Sequence, residues 1–392
     1  MSVGFTRSEA LSLETCVRCG VCFAACPVHE ITGNPMLTPP FKTRILRDRI
    51  YKRQNSILAR RARTPDKDSL EKLGDVVYSC SLCDRCEFSC PFNLENVSLF
   101  YRLRGVYHGQ GILPGYLSMV DEAIRAYHNP YGGSQDKRRR WVSTAYPEGM
   151  EFKEKADVVY FVSCSSSYVD ESMRAAVATS KLLDKLGLNW TSLEEEWCCG
   201  KPLKQIGDME RAEEFAKHNI EQIERTGAKT VVTSCPACRV VLNWEYPKLL
   251  GKPNNFRVLH TVQLLVEAVT DGRVDVGKTI PSRVTYHDPC NMTRYGGLVE
   301  EPRQILRKLS SDFVEMPSNG VDSRCCGGGG MIQAVNEELQ QKLTSARLAE
   351  AQGTGASILA TTCPTCTKYL SQDAGKHGLR VADLTELLVE SL

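Results

Sequence analysis

Through the second half of the chain, short apolar runs alternate with longer amphipathic stretches. From about residue 156 the order is "DVVYFVSC", "MRAAVATSKLLDKLG", "NWTSLEEEWCCG", then "ERAEEFAKHNIEQIERTG", "KTVVTSCPAC" and "FRVLHTVQLLVEAV". Brief β-branched runs predict buried strands, and the stretches between them carry the spacing of helices. The unit reads strand, helix, strand, helix, strand, helix. This alternation predicts an α/β layer with mostly parallel strands.

The same order returns from residue 282, as "RVTYHDPC", "EPRQILRKLSS", "DFVEMPSNGVDSRCCG", then "NEELQQKLTSARLAEAQG", "SILATTCPTC" and "LRVADLTELLVESL". Cys164 is matched by Cys290, 126 positions on; Cys198 and Cys199 by Cys325 and Cys326, 127 on; Cys235 and Cys238 by Cys363 and Cys366, 128 on. This is an internal duplication. In parallel sheets, ligands gather beyond the carboxyl ends of the strands. The cysteine groups fall there: Cys164, Cys235, Cys290 and Cys363 directly after a predicted strand, and each adjacent pair after a loop. Five thiols therefore converge, twice. Domains are expected over 1–150, 151–275 and 276–392.

The first part carries a different signal. "CVRCGVCFAACP" holds Cys16, Cys19, Cys22 and Cys26; "CSLCDRCEFSCP" holds Cys80, Cys83, Cys86 and Cys90. Both read C-x2-C-x2-C-x3-C-P, the spacing of a bacterial two-cluster ferredoxin. In that arrangement three cysteines wrap one cluster and the fourth crosses to the other. One [4Fe-4S] cluster would use Cys16, Cys19, Cys22 and Cys90, the other Cys80, Cys83, Cys86 and Cys26. Zinc sites use C-x2-C pairs and need neither the third nor the fourth cysteine of each run. An all-α ferredoxin-like segment is expected here.

Five thiolates are one too many for zinc or for an ordinary cubane. Buried free cysteines packing as small hydrophobes, or a redox disulfide at "CPAC" or "CPTC", are rival readings. The second leaves Cys198, Cys199, Cys325 and Cys326 without a role. The tract "CCGGGG" at 325–330 suggests a backbone that something bulky approaches closely.

Each repeat resembles the Cys-Cys-Gly domain of heterodisulfide reductases, with gaps of 33 and 35 residues in the first copy and 34 and 36 in the second. With the ferredoxin-type segment in front, the whole chain is similar to the D-type iron–sulfur component of heterodisulfide reductase, a fusion of the family's separate C-type and B-type components. The resemblance implies two noncubane [4Fe-4S] clusters: one on Cys164, Cys198, Cys199, Cys235 and Cys238, the other on Cys290, Cys325, Cys326, Cys363 and Cys366. It implies electron passage between two cubane and two noncubane clusters, for disulfide reduction or thiol oxidation. The same architecture serves relay subunits of 2-hydroxyacid and glycerol-3-phosphate dehydrogenases, sulfate-reducer membrane complexes and benzoyl-CoA reductase complexes, so a pure electron relay is the alternative. His287, in "YHDPCNMTRYGG" with Asp288, Arg294 and Tyr295, is the candidate catalytic residue, as a proton donor to a leaving thiolate. It suits equally a hydrogen bond that tunes a cluster, or a structural role.

Composition adds limits. The 392 residues carry a formal net charge of +2, which does not point to nucleic acid. There is no secretory signal and no apolar run long enough for a membrane span, so a cytoplasmic protein is expected, touching a membrane only peripherally or through a partner. Residues 41–63 hold nine basic residues and one acid. That stretch, and "KRRR" at 137–140, read as solvated helix faces or as docking faces for an anionic partner. No G-x-G-x-x-G follows a strand, so no flavin or nicotinamide is expected in this chain. The redox partner would be a flavoprotein or a membrane cytochrome b. Four clusters predict about sixteen iron atoms per anaerobically purified chain; elemental analysis finding zinc as the main metal would refute this.

Overall fold

The computed structural model describes residues 4–52, 67–276 and 280–391. The described chain divides into two compact units. The first comprises residues 1–121, 202–209 and 327–343, and the second 122–201, 210–326 and 344–392. The first is helical, as expected. Of the basic stretch 41–63, residues 53–63 lie outside the described residues.

The second unit contains two four-stranded parallel sheets. In the first, β1 (Val158–Tyr160), β2 (Trp190–Ser192), β3 (Thr230–Thr233) and β4 (Arg257–His260) run in the order β2-β1-β3-β4. In the second, β5 (Val284–Tyr286), β6 (Phe313–Val314), β7 (Ile358–Thr361) and β8 (Arg380–Asp383) repeat it as β6-β5-β7-β8. All pairings are parallel. The inner strands β1, β5 and β7 are buried throughout, because helices cover both faces of a parallel sheet.

One strand per sheet escapes the alternation. "RVLH" and "RVAD" look like the heads of the helices that follow, yet they form β4 and β8. His260 and Asp383 end these strands and cap the next helix, accepting from Val262 N and Thr385 N. The apolar pattern runs unbroken across each cap, which hides the boundary.

The two repeats share a core. Leu182, Val262, Leu265 and Ala268 of the first pack with Val284, Tyr286, Leu306 and Leu387 of the second. Ser172 Oγ donates to Pro364 O at 2.6 Å. The repeats are therefore one packed body.

In the first unit, Gly207 has φ +104°, and a Cβ there would lie 2.4 Å from Arg104 O. Both the conformation and the contact require glycine. Gly207→Ala should destabilise the protein by more than about 1 kcal/mol, seen as a melting point lower by at least about 2 °C. Gly251→Ala, where a Cβ meets nothing within 4 Å and only the positive φ of +64° counts, should cost less. Equal melting points for the two variants would contradict the contact.

Candidate iron–sulfur centres

The two N-terminal cysteine loops adopt one backbone. Arg18 and Leu82, each just before the second cysteine, have φ of 59° and 51°; Gly20 and Asp84, each just after it, have 88° and 70°. Left-handed conformations at non-glycine residues cost roughly 1–2 kcal/mol each, so these turns need compensation. The third cysteine then sits on a short helix, Val21–Ala24 or Arg85–Phe88. Cys26 stands immediately before Pro27, which opens the next helix.

Cys26 lies beside the second loop and Cys90 beside the first. Cys26, Cys80, Cys83 and Cys86 line a single cavity with Lys42 and Leu82. Burial pushes the Cys22 thiol up to about 11, helped by the charges of Cys16, Cys90 and Cys19. Burial likewise takes Cys26 up to about 11, and the cysteines acting on it are Cys80 and Cys83. The two groups differ in exposure: Cys19 is exposed, whereas Cys83 and Cys86 are buried.

Lys42 and Arg104 are both buried. The Lys42 ammonium donates to Leu37 O. Arg104 spreads its guanidinium over four carbonyls: Gln205 at 2.9 Å, Gly330 at 2.8 Å, Tyr78 at 3.1 Å and Cys80 at 2.8 Å. The glycine tract takes its meaning here. A Cβ at Gly329 would lie 2.5 Å from Ser81 O, and at Gly330 2.1 Å from Cys80 O. The bulky object that the glycines admit is the backbone of the second cysteine loop.

In the α/β unit, the cysteines stand beyond the carboxyl ends of the parallel strands, as expected. In the first repeat the thiols form a chain. Cys198 interacts with Cys164 and Cys199, and Cys238 with Cys199 and Cys235. Hydrogen bonds from Cys198 and Cys238 hold Cys199 well below the usual thiol range. In the second repeat Cys325 and Cys366 do the same to Cys326, and Cys326 Sγ lies 3.2 Å from Cys366 Sγ. Cys290 is half-exposed, while the other nine of this set are buried; it accepts from Asn291 Nδ2 at 3.6 Å.

Around these thiols stand groups that spacing did not single out. Arg138, from "KRRR", is neither solvated nor a docking residue. It is buried, donating to Glu196 Oε1 at 2.7 Å and to Cys164 Sγ at 3.4 Å. Burial works against its charge, but Cys164 and Glu196 hold its pKa well up. Glu196 also accepts from the backbone of Val162 and Ser163, and so fastens the turn into Cys164. Lys201 is buried beside Cys199.

His287 is buried against Cys326. Arg347 Nε donates to His287 Nδ1 at 3.0 Å, and Arg347 Nη1 to Glu350 Oε2 at 2.7 Å. An arginine nitrogen can only donate. Nδ1 is therefore the acceptor, and the neutral ring carries its proton on Nε2. Burial lowers the pKa of His287, the Cys326 hydrogen bond opposing it. Of the other residues flanking Cys290, Asp288 is held by Arg303 at 2.9 Å through both oxygens, and Arg294 bonds Ser323 O at 3.0 Å.

The two thiol groups face each other within this unit. Ser165, next to Cys164, and Thr365, between Cys363 and Cys366, have hydroxyls 3.3 Å apart. Arg239, next to Cys238, donates to Gly296 O at 3.0 Å, in the loop after Cys290. Tyr131 bonds Ser165 Oγ at 3.0 Å, and Lys368 lies 5.0 Å over its ring.

The donor set fits iron–sulfur chemistry: grouped thiols, with buried cations beside them. Comparison with known proteins agrees. A cysteine-rich domain model, CCG, matches residues 158–243 and 284–371, and a 4Fe-4S dicluster domain model matches 12–94. The chain is similar to the D-type component of the dihydromethanophenazine:CoB–CoM heterodisulfide reductase of Methanosarcina barkeri, 35% identical across 99% of this chain and 96% of that one. It is similar also to an EtfAB:quinone oxidoreductase of Syntrophomonas wolfei, 25% identical across 99% of this chain but 59% of that one. A solved structure, a hypothetical protein from Helicobacter pylori, superposes with a TM-score of 0.51 at 11% identity, over 99% of this chain and 73% of that one, and shows the fold alone. No described helix is long and apolar enough to cross a membrane. With a dicluster segment ahead of two CCG domains, and a third of its positions shared over its full length, this chain belongs to the D-type family of heterodisulfide reductase iron–sulfur oxidoreductase subunits.

Proposed function

We propose that this chain exchanges electrons with a partner at the N-terminal cysteine loops and passes them to a disulfide held between the two CCG domains. The observation that carries this reading is that two duplicated sets of five cysteines follow strand ends of one packed body, with residues next to them in contact, Ser165 with Thr365 and Arg239 with Gly296. Cys16, Cys19, Cys22 and Cys90 would hold one cubane cluster, and Cys80, Cys83, Cys86 and Cys26 the other. Cys164, Cys198, Cys199, Cys235 and Cys238 would hold one noncubane cluster, and Cys290, Cys325, Cys326, Cys363 and Cys366 its counterpart. When bound, these groups supply one-electron storage.

The reaction is R–S–S–R′ + 2e⁻ + 2H⁺ → RSH + R′SH, in which the S–S bond breaks and both sulfurs are reduced. Two facing sites match a substrate that takes two electrons and leaves two thiolates. Half-exposed Cys290, against nine buried cysteines, supports solvent access from the second CCG domain. The partner supplying electrons would be a flavoprotein or a membrane cytochrome b. The likeness to an EtfAB:quinone oxidoreductase favours a second reading, in which the chain only relays electrons.

His287 is a positioning residue in this scheme. With Nδ1 occupied by Arg347, its Nε2 proton is aimed at Cys326 and steadies that sulfur as an anion. A proton for the leaving thiolate would then come from elsewhere.

Oxidised, fully loaded protein given 2-mercaptoethanesulfonate should develop a new paramagnetic signal that broadens when the thiol carries a magnetic sulfur isotope. Absence of any thiol-dependent signal in protein with its full iron content would favour the relay. His287→Leu should cost about 10- to 100-fold in iron retention or turnover, and His287→Gln, which keeps a donor, should recover part. The alkaline limb of the pH–rate profile should be the same in His287→Gln as in wild type; a lost limb would return His287 to the role of proton donor.

A further inference from the structure

Two cations are buried where ordinary chemistry would not leave them. Lys42 is 1% exposed and Arg104 0% exposed. Among the described residues, neither forms an ion pair with a carboxylate, and all of Arg104's hydrogen bonds go to backbone carbonyls. A buried charge without a counter-charge is expensive, and proteins pair it or neutralise it. One carboxylate does line the same cavity, that of Asp84; it lies outside ion-pair distance of both cations and hydrogen-bonds Glu87. Burial works against the charge of both cations; the groups opposing it are Cys80, Cys26 and Cys86 for Lys42, and Cys80 followed by the Tyr78 and Tyr101 hydroxyls for Arg104.

Among the described residues, the other N-terminal group lacks this feature. Its nearby cation, Arg47, is bound to Asp48 at 2.8 Å, and Cys19 is exposed to water. The two cysteine loops share one backbone fold, so the difference lies in what surrounds them.

We propose that Lys42 and Arg104 are positioning residues that raise the reduction potential of the cluster on Cys26, Cys80, Cys83 and Cys86. Reduction adds one negative charge to a group already anionic. A fixed cation in a water-poor cavity stabilises the reduced form more than the oxidised one. Electrons then settle on the Cys80-loop cluster, and the exposed Cys19-loop cluster serves as the port to the partner. The inference rests on the cluster assignment above and adds the direction in which electrons run between the cubanes.

The test uses the full-length, anaerobically purified protein, in redox titrations followed by paramagnetic resonance. Wild type should show two cubane signals with separate midpoints. Lys42→Met and Lys42→Gln should lower the midpoint of one signal by at least about 59 mV, a tenfold change for a one-electron couple, and leave the other in place. Lys42→Arg should stay near wild type. If the neutral variants lose the second cluster outright while Lys42→Arg keeps it, the charge requirement still stands. Neutral variants that keep both clusters at wild-type midpoints overturn the proposal, as does loss of the cluster in Lys42→Arg as well. Wild-type protein without a second cubane signal would instead overturn the cluster assignment, and the inference with it.

Discussion

Thiolate sulfur is an anion, and this chain buries most of its eighteen cysteines. That constraint organises both units. Buried thiols resist ionisation, and neighbouring thiolates add to it: burial first, then the other cysteines, pushes Cys22, Cys26 and Cys86 upward. Iron binds the ionised form. Each site therefore needs compensation, and the protein provides it close by: Lys42 and Arg104 at the Cys80 loop, Arg138 at Cys164, Lys201 beside Cys199, and a neutral donor, His287, at Cys326. The cysteines say where iron would go; the groups behind them say what it would cost to charge it.

Much of this was legible. Cysteine spacing is a local code, so the ferredoxin-like runs read directly from the chain. The duplication survived because strand length and thiol positions are both fixed by the parallel sheet. What could not be read depends on long-range packing. Lys42 and Arg138 sit inside basic runs, where a buried cation looks like its solvated neighbours. The strand-to-cap transition at His260 and Asp383 leaves no break in the apolar pattern. The glycine tract reads in sequence as room for something bulky, and its neighbour is the Cys80–Ser81 backbone. A Gly-rich run signals close approach without saying of what.

The duplication kept the thiols and let their surroundings diverge. By repeat position, His287 corresponds to Phe161, 126 residues earlier, and Gly328 to Lys201, 127 earlier. The first site has a cation on Cys164 and another beside Cys199. The second has a neutral imidazole on Cys326, with its arginine set back and tied to Glu350. Two copies of one metal-binding frame are thus electrically unlike. On the proposed function that difference has a use, because a disulfide with two different halves releases two different thiolates. There the more cationic site would favour the half that is the better-stabilised anion. A symmetric pair would bind such a substrate in either orientation; on the proposed function, unequal compensation of buried sulfur would select one.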